Sequence, residues 1–324
     1  MTGIFRNMIR DHKSKIVLVL SLPVFYLLGR LQGSISPYYY QIIIYIGINI
    51  ILASSLNLIN GFAGQFSLGH AGFMAIGAYT SALITSSIGI AGGLPTPLVF
   101  LPALAGGGAA ASICGLLVGI PTLRLKGDYL AITTLGMGEI IRVIIQNLDF
   151  LGGARGFTGI ARMTDFFWVY SIAALLIYLL YNLLHSTYGT GYLAVRDDEI
   201  AAESSGISAT GIKVSAFIIG AFFAGIAGGL YAHFVTYINP SQFGFLRSFE
   251  IVVMVVIGGM GNITGVIFSA VILTILPEAL RAAAMYRMVI YALLLVIIMI
   301  TRPGGLFAFG AGLPRRVAQN APAR

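Results

Sequence analysis

Long apolar runs separated by short polar interruptions recur along the whole 324-residue chain. Read at about 20 apolar residues per crossing, they predict membrane-spanning helices at 38–59, 67–88, 98–120, 129–148, 166–185, 214–236, 248–260, 262–280 and 286–301. A further run, 16–28, follows Arg6, Arg10, Lys13 and Lys15. It leads into Gly29-Arg30-Leu31-Gln32 rather than a small-x-small cleavage site, so it reads as a retained first span and not as a signal peptide. The expected fold is an all-α integral membrane protein, a polytopic bundle of about ten transmembrane helices. Some are short or broken: 248–260 is too short to cross as a straight helix. The chain is a single membrane-spanning domain, 1–324, with a basic N-terminus (1–15), one long internal loop (186–213) and a polar tail (302–324).

Composition agrees with that pattern. Charged residues are 9% of the chain, against about 25% in an ordinary soluble domain, and apolar residues are 58% with a mean hydropathy of +0.92. A soluble globule and a disordered chain are both excluded. Cys114 is the sole cysteine, so no internal disulfide and no thiolate metal cluster can form. The sequence holds no P-loop, G-x-S-x-G, H-E-x-x-H or G-x-G-x-x-G, and no enzymatic role is expected. The net charge of +8 fits anionic lipid and basic cytoplasmic loops rather than nucleic acid. With ten crossings, Arg6, Arg10, Lys13, Lys15, Arg124, Lys126, Arg196, Lys213, Arg302, Arg315, Arg316 and Arg324 fall on the side that holds both termini, against Arg30, Arg142, Arg155, Arg162, Arg247, Arg281 and Arg287 on the other; the bias places the termini and the 186–213 loop in the cytoplasm.

That loop carries Arg196, Asp197, Asp198, Glu199 and Glu203 within eight residues. Acids at 197–199 suit the positive end of a helix and Gly206 can end one, which predicts a short helix of about two to three turns outside the bilayer; a solvated linker is the alternative. Within the spans, glycine pairs such as Gly115/Gly119 and Gly225/Gly229 read as close helix packing. The stretches Gly61-Phe-Ala-Gly64-Gln65-Phe-Ser67-Leu-Gly-His70-Ala-Gly72 and Gly258-Gly259-Met-Gly261-Asn262-Ile-Thr-Gly265 are too rich in glycine and polar groups for plain helix. Broken helices of this kind mark transport pathways, so Gly64, Gln65, Ser67, His70, Gly259 and Asn262 are pathway candidates.

The span from Tyr129 holds an intramembrane carboxylate. Eleven residues beyond Asp128, at about 1.5 Å each, put Glu139 roughly 16 Å deep, near the middle of the hydrocarbon core. Thr133, Gly136, Glu139, Arg142 and Gln146 share one helix face, which must look at protein or water. Glu139 and Arg142 are placed to pair. Thr133, Glu139 and Arg142 therefore join the pathway candidates, weighed against an ion pair that only fixes packing. His70 and His233 each stand alone, and no metal site is expected.

Taken together, these residues resemble a known family. The run 56–79, with Gly127-Asp-Tyr-Leu-Ala-Ile-Thr-Thr-Leu135, Gly152-Gly-Ala-Arg-Gly-Phe-Thr-Gly159, Ala194-Val-Arg-Asp-Asp-Glu-Ile-Ala-Ala202 and Met254-Val-Val-Ile-Gly-Gly-Met-Gly261, is similar to the permeases of ABC importers for branched-chain amino acids, LivM type. The resemblance spans about 45–305 with its motifs in order. It implies a bacterial inner-membrane subunit working by alternating access, paired with a homologous LivH-type permease. Two ATP-binding subunits would hold ATP and Mg, a periplasmic binding protein would deliver substrate, and this chain would bind no cofactor. Residues Arg196, Asp197, Asp198, Glu199, Ala201, Ala202 and Gly206 match the coupling loop that docks on an ATPase, a degenerate E-A-A-x-x-x-G in which Ile200 stands where the motif has its Glu. The same resemblance covers permeases for urea and short-chain amides. A stand-alone secondary transporter coupled to ions through Glu139 is the rival from another class.

Overall fold

The structure, a computed structural model, describes residues 21–29, 36–92, 96–122, 125, 127–283, 292–293, 296–297, 300–301 and 305. The basic stretch 1–15, the first five residues of the expected span 16–28, most of the expected span 286–301, and the tail 302–324 except Gly305 lie outside the described residues. Helix α1 covers 21–29. It is followed by α2 (Pro37–Asn57), α3 (His70–Gly92), α4 (Thr96–Thr122), α5 (Asp128–Gln146) and α6 (Phe166–Leu184). Two shorter helices, α7 (Thr187–Asp197) and α8 (Glu199–Ser204), precede α9 (Ala209–Val235), α10 (Phe245–Gly258) and α11 (Ile263–Ala279). Among the described residues there is no strand, only an isolated antiparallel bridge between Phe157 and Ile238. Among the described residues, five segments are long and apolar enough to cross a bilayer: Pro37–Phe62, Leu98–Pro121, Phe166–Leu184, Ala209–Val235 and Pro240–Gly258. The chain is a polytopic, all-helical membrane protein.

Helices α3, α4 and α9 form the densest part of the bundle, and glycine permits it. A Cβ added at Gly77 of α3 would stand 2.1 Å from the Gly225 carbonyl oxygen of α9, and one at Gly225 would stand 2.7 Å from Gly107 O of α4. Backbones meet directly here, as expected where lipid offers no hydrophobic drive and dispersion must hold helices together. Leu101, Ile113, Leu117 and Ile120 on α4 and Leu175 and Leu179 on α6 stay exposed, an apolar outer surface suited to hydrocarbon.

The two predicted breaks are present. After α2 the backbone widens into one π-helical turn, Leu58–Phe62, and then runs non-helically to the start of α3 at His70. Helix α10 has only 14 residues and stops at Gly259 (φ +94); Asn262 then caps α11 by accepting from Gly265 N at 3.1 Å. The loop 186–213 differs from the single expected helix. It contains two, and α9 begins at Ala209 rather than 214 because Ser208 caps it through Gly211 N, 3.3 Å. Both differences arise between the long apolar runs, where an apolar pattern carries no signal and capping sets the boundaries.

Candidate functional site

Two arrangements hold the polar groups, one at each end of α10. At its C-terminal end the breaks meet. A Cβ on Gly61 would lie 2.2 Å from Gly261 N, and Gly261 N donates to Asn57 Oδ1 at 2.9 Å. Asn60 holds the first break in shape: its Oδ1 accepts from Ser67 N (3.1 Å), while Leu68 N donates to Thr134 Oγ1 of α5 (3.0 Å) and Ala71 N to Ser248 Oγ of α10 (3.0 Å). These bonds supply what water would otherwise give to non-helical backbone.

Helix α7 packs against this junction, and α8 packs against α7 and α9. Their small core is Val195, Ala202 and Ala209 with Ala194, Ile207 and Ile212 against it. Ser186 caps α7 through Gly189 N (3.4 Å), and Asp198 Oδ1 caps α8, accepting from Ile200 N and Ala201 N, both at 3.0 Å. Gly206, at φ +82, turns the chain out of α8. Glu199 faces inward: Lys213 Nζ of α9 lies 2.6 Å from its Oε1, with the lysine side chain only 10% exposed. Asp197, Ala201 and Glu203 are exposed, and Ile200 is 73% exposed, an apolar residue offered to whatever covers this surface.

Arg196 joins this module to the breaks. Gly64 has φ +68, a conformation that glycine adopts freely, and a Cβ there would come within 2.9 Å of Arg196 Cγ. A Cβ on Gly261 would come within 3.2 Å of Arg196 Nη1. The guanidinium also pairs with Asp197, Nη2 to Oδ1 2.8 Å. Arg196 thus lies across both breaks with its stem on the first and its head on the second.

At the N-terminal end of α10 lies a cavity of about 380 Å³, lined by α5, the turn Pro240–Phe243 and α10. Arg142 Nε donates to Glu139 Oε2 at 2.6 Å, and Phe245 N donates to Glu139 Oε1 at 2.9 Å. Glu139 therefore pairs within its own helix and also caps α10, whose N-cap residue Gly244 has no side chain to do so. Arg247 Nη1 donates to Glu250 Oε2 at 2.9 Å, and its Nη2 donates to Asn49 Oδ1 of α2 at 2.7 Å.

The structure therefore gathers Gly64, Gly259, Gly261 and Arg196 at one end of α10, and Glu139 and Arg142 at the other. Gln65, Ser67 and His70 are buried beside the first break, with His70 Nε2 2.9 Å from Ser55 Oγ. Asn262 serves as a helix cap, and Thr133 Oγ1 donates to Tyr129 O of its own helix (2.8 Å). Sequence reasoning left Arg247, Glu250 and Asn49 out of the site. Arg247 and Glu250 repeat the three-residue spacing of Glu139 and Arg142, which was the available signal.

A bundle of this kind, with broken helices and a helical module outside the spans, defines a membrane transport subunit. The chain matches the family of branched-chain amino acid transport system permease components over residues 38–299, and it belongs to that family. It is similar to the high-affinity branched-chain amino acid transport system permease protein LivM of Salmonella typhimurium, at 37% identity over 80% of this chain and 67% of that protein. It is also similar to the probable branched-chain amino acid transport permease protein LivM of Methanocaldococcus jannaschii, at 27% identity over 82% and 92%. The permease protein LivH of Escherichia coli is 24% identical over 79% and 90%. No solved structure matches the chain.

Proposed function

We propose that this chain is a permease subunit of an ATP-driven importer of branched-chain amino acids, seated in the bacterial inner membrane with both termini in the cytoplasm. It works with a second, LivH-type permease, two ATP-binding subunits that hold ATP and Mg, and a periplasmic binding protein. The observation that carries the mechanism is Arg196, which ties the α7–α8 module to both helix breaks. In this reading the ATPases dock on the exposed face of α8 around Ile200 and Glu203. Their closure moves α7 and α8 as one body, because Glu199–Lys213 and the Val195–Ala202–Ala209 core bind them to α9. Arg196 passes that movement to the Gly61–Gly261 junction and so to α10, whose other end meets the cavity. Alternating access follows as a shift between two packings of α10, biased by nucleotide on the partners.

Glu139 fits a structural part in this scheme better than an ion-coupling part, since both of its oxygens are engaged. The test is purification of the tagged chain in mild detergent with identification of every co-purifying protein. The expected result is a second permease and two copies' worth of ATP-binding subunit. A chain that purifies alone and still concentrates leucine in vesicles would refute the reading.

A further inference from the structure

We propose that the cavity between α5 and α10 is the membrane-embedded station for the zwitterionic head of the transported amino acid, with Arg142 receiving its carboxylate and Glu250 its ammonium. The assignment rests on the permease reading above and names the residues that make it selective. Within the cavity, the two ion pairs are not saturated. Arg142 engages only its Nε, on Glu139, and its two terminal nitrogens have no partner among the described residues. Glu250 engages only Oε2, on Arg247, which leaves Oε1 in the same position. The opposite members of the pairs are occupied: Glu139 by Arg142 and Phe245 N, and Arg247 by Glu250 and Asn49. What remains free is therefore a planar double donor and a single anionic acceptor around one cavity of about 380 Å³.

That is the complement of an α-amino acid. The forked terminal nitrogens of an arginine match a carboxylate in bidentate fashion, and a carboxylate oxygen matches an ammonium. Phe245 and Leu246, both exposed at the cavity wall, offer an apolar surface to a branched side chain. A zwitterion crossing hydrocarbon loses its water, and fixed opposite charges in the cavity replace it. A ligand lacking either charge would leave one of the two groups unpaired, so discrimination is against single-charge analogues.

The test uses the assembled importer in proteoliposomes, with ATP supplied to the ATPases and labelled leucine delivered by its binding protein. In Glu250→Gln and Arg142→Gln the leucine delivered per ATP hydrolysed falls at least tenfold. Leu246→Trp, at an exposed position, lowers leucine uptake at least threefold more than valine uptake by crowding the apolar wall. Glu250 is half exposed and its replacement keeps the fold, so leucine uptake within twofold of wild type in Glu250→Gln overturns the site. A parallel loss of assembly and ATP hydrolysis in that variant overturns it too, because the pairs would then be structural. A wild-type importer that accumulates no branched-chain amino acid would instead refute the function on which the site depends, a result distinct from both.

Discussion

Replacing Arg196 by alanine removes the connection between the α7–α8 module and the helix breaks. The magnitude can be worked from its surroundings. The side chain is 30% exposed, and its Cβ and Cγ lie along the break at Gly64. At about 0.8 kcal/mol per buried methylene, with about seven-tenths buried, the packing lost is roughly 1.5–2 kcal/mol, an upper figure given that the undocked state retains some contact. The pair with Asp197 is between adjacent, partly exposed residues and adds little. A loss of that size shifts the docked-to-undocked ratio about ten- to thirtyfold. In proteoliposomes holding the whole importer, Arg196→Ala should keep ATP hydrolysis but lower leucine uptake per ATP by up to about that factor. Wild-type coupling in Arg196→Ala would refute the reasoning.

The other predictions follow from single contacts. Gly77→Ala places a methyl 2.1–2.4 Å from the Gly225 backbone, so the purified chain should lose its monodisperse elution, whereas Gly136→Ala, with nothing within 4 Å, should raise the thermal midpoint through a gain of about 0.5–1 kcal/mol in helix propensity. Lys213→Ala removes the ion pair that ties Glu199 to α9 and should cost α8 about 1–3 kcal/mol of docking, read as faster hydrogen exchange at Ile200 and Ala201, with the double charge swap Glu199→Lys/Lys213→Glu restoring protection. Thr236 ends α9 in the left-handed region (φ +63), so Thr236→Gly should stabilise the chain by about 1 kcal/mol in detergent melts; an unchanged or lower midpoint would show that its hydroxyl bond to Val235 O outweighs the strain.

The helices inside hydrocarbon were legible because their pattern is set by the bilayer: the spans near 38–59, 166–185 and 262–280 each differ by only a few residues from α2, α6 and α11. The breaks were legible from glycine and polar residues at depth. Helix α7 was not, because Gly189 and Gly191 argue against helix. Their purpose is tertiary: a Cβ on Gly189 would stand 2.2 Å from Leu184 O, and one on Gly191 would stand 3.1 Å from Ile212. Glu139–Arg142 could be read from spacing within one helix, and the structure adds the Phe245 amide that the carboxylate caps. Glu199–Lys213 and Arg196–Gly261 could not be read, since such pairings are decided by how three helix ends meet rather than by periodicity.

The whole account depends on energy entering through α7 and α8 from partner subunits. Its most direct test compares leucine accumulation in vesicles containing this chain with its partner permease, with and without the ATP-binding subunits, under an imposed proton or sodium gradient. The account predicts accumulation above the external concentration only when the ATP-binding subunits and ATP are present. Accumulation driven by the gradient alone would contradict it.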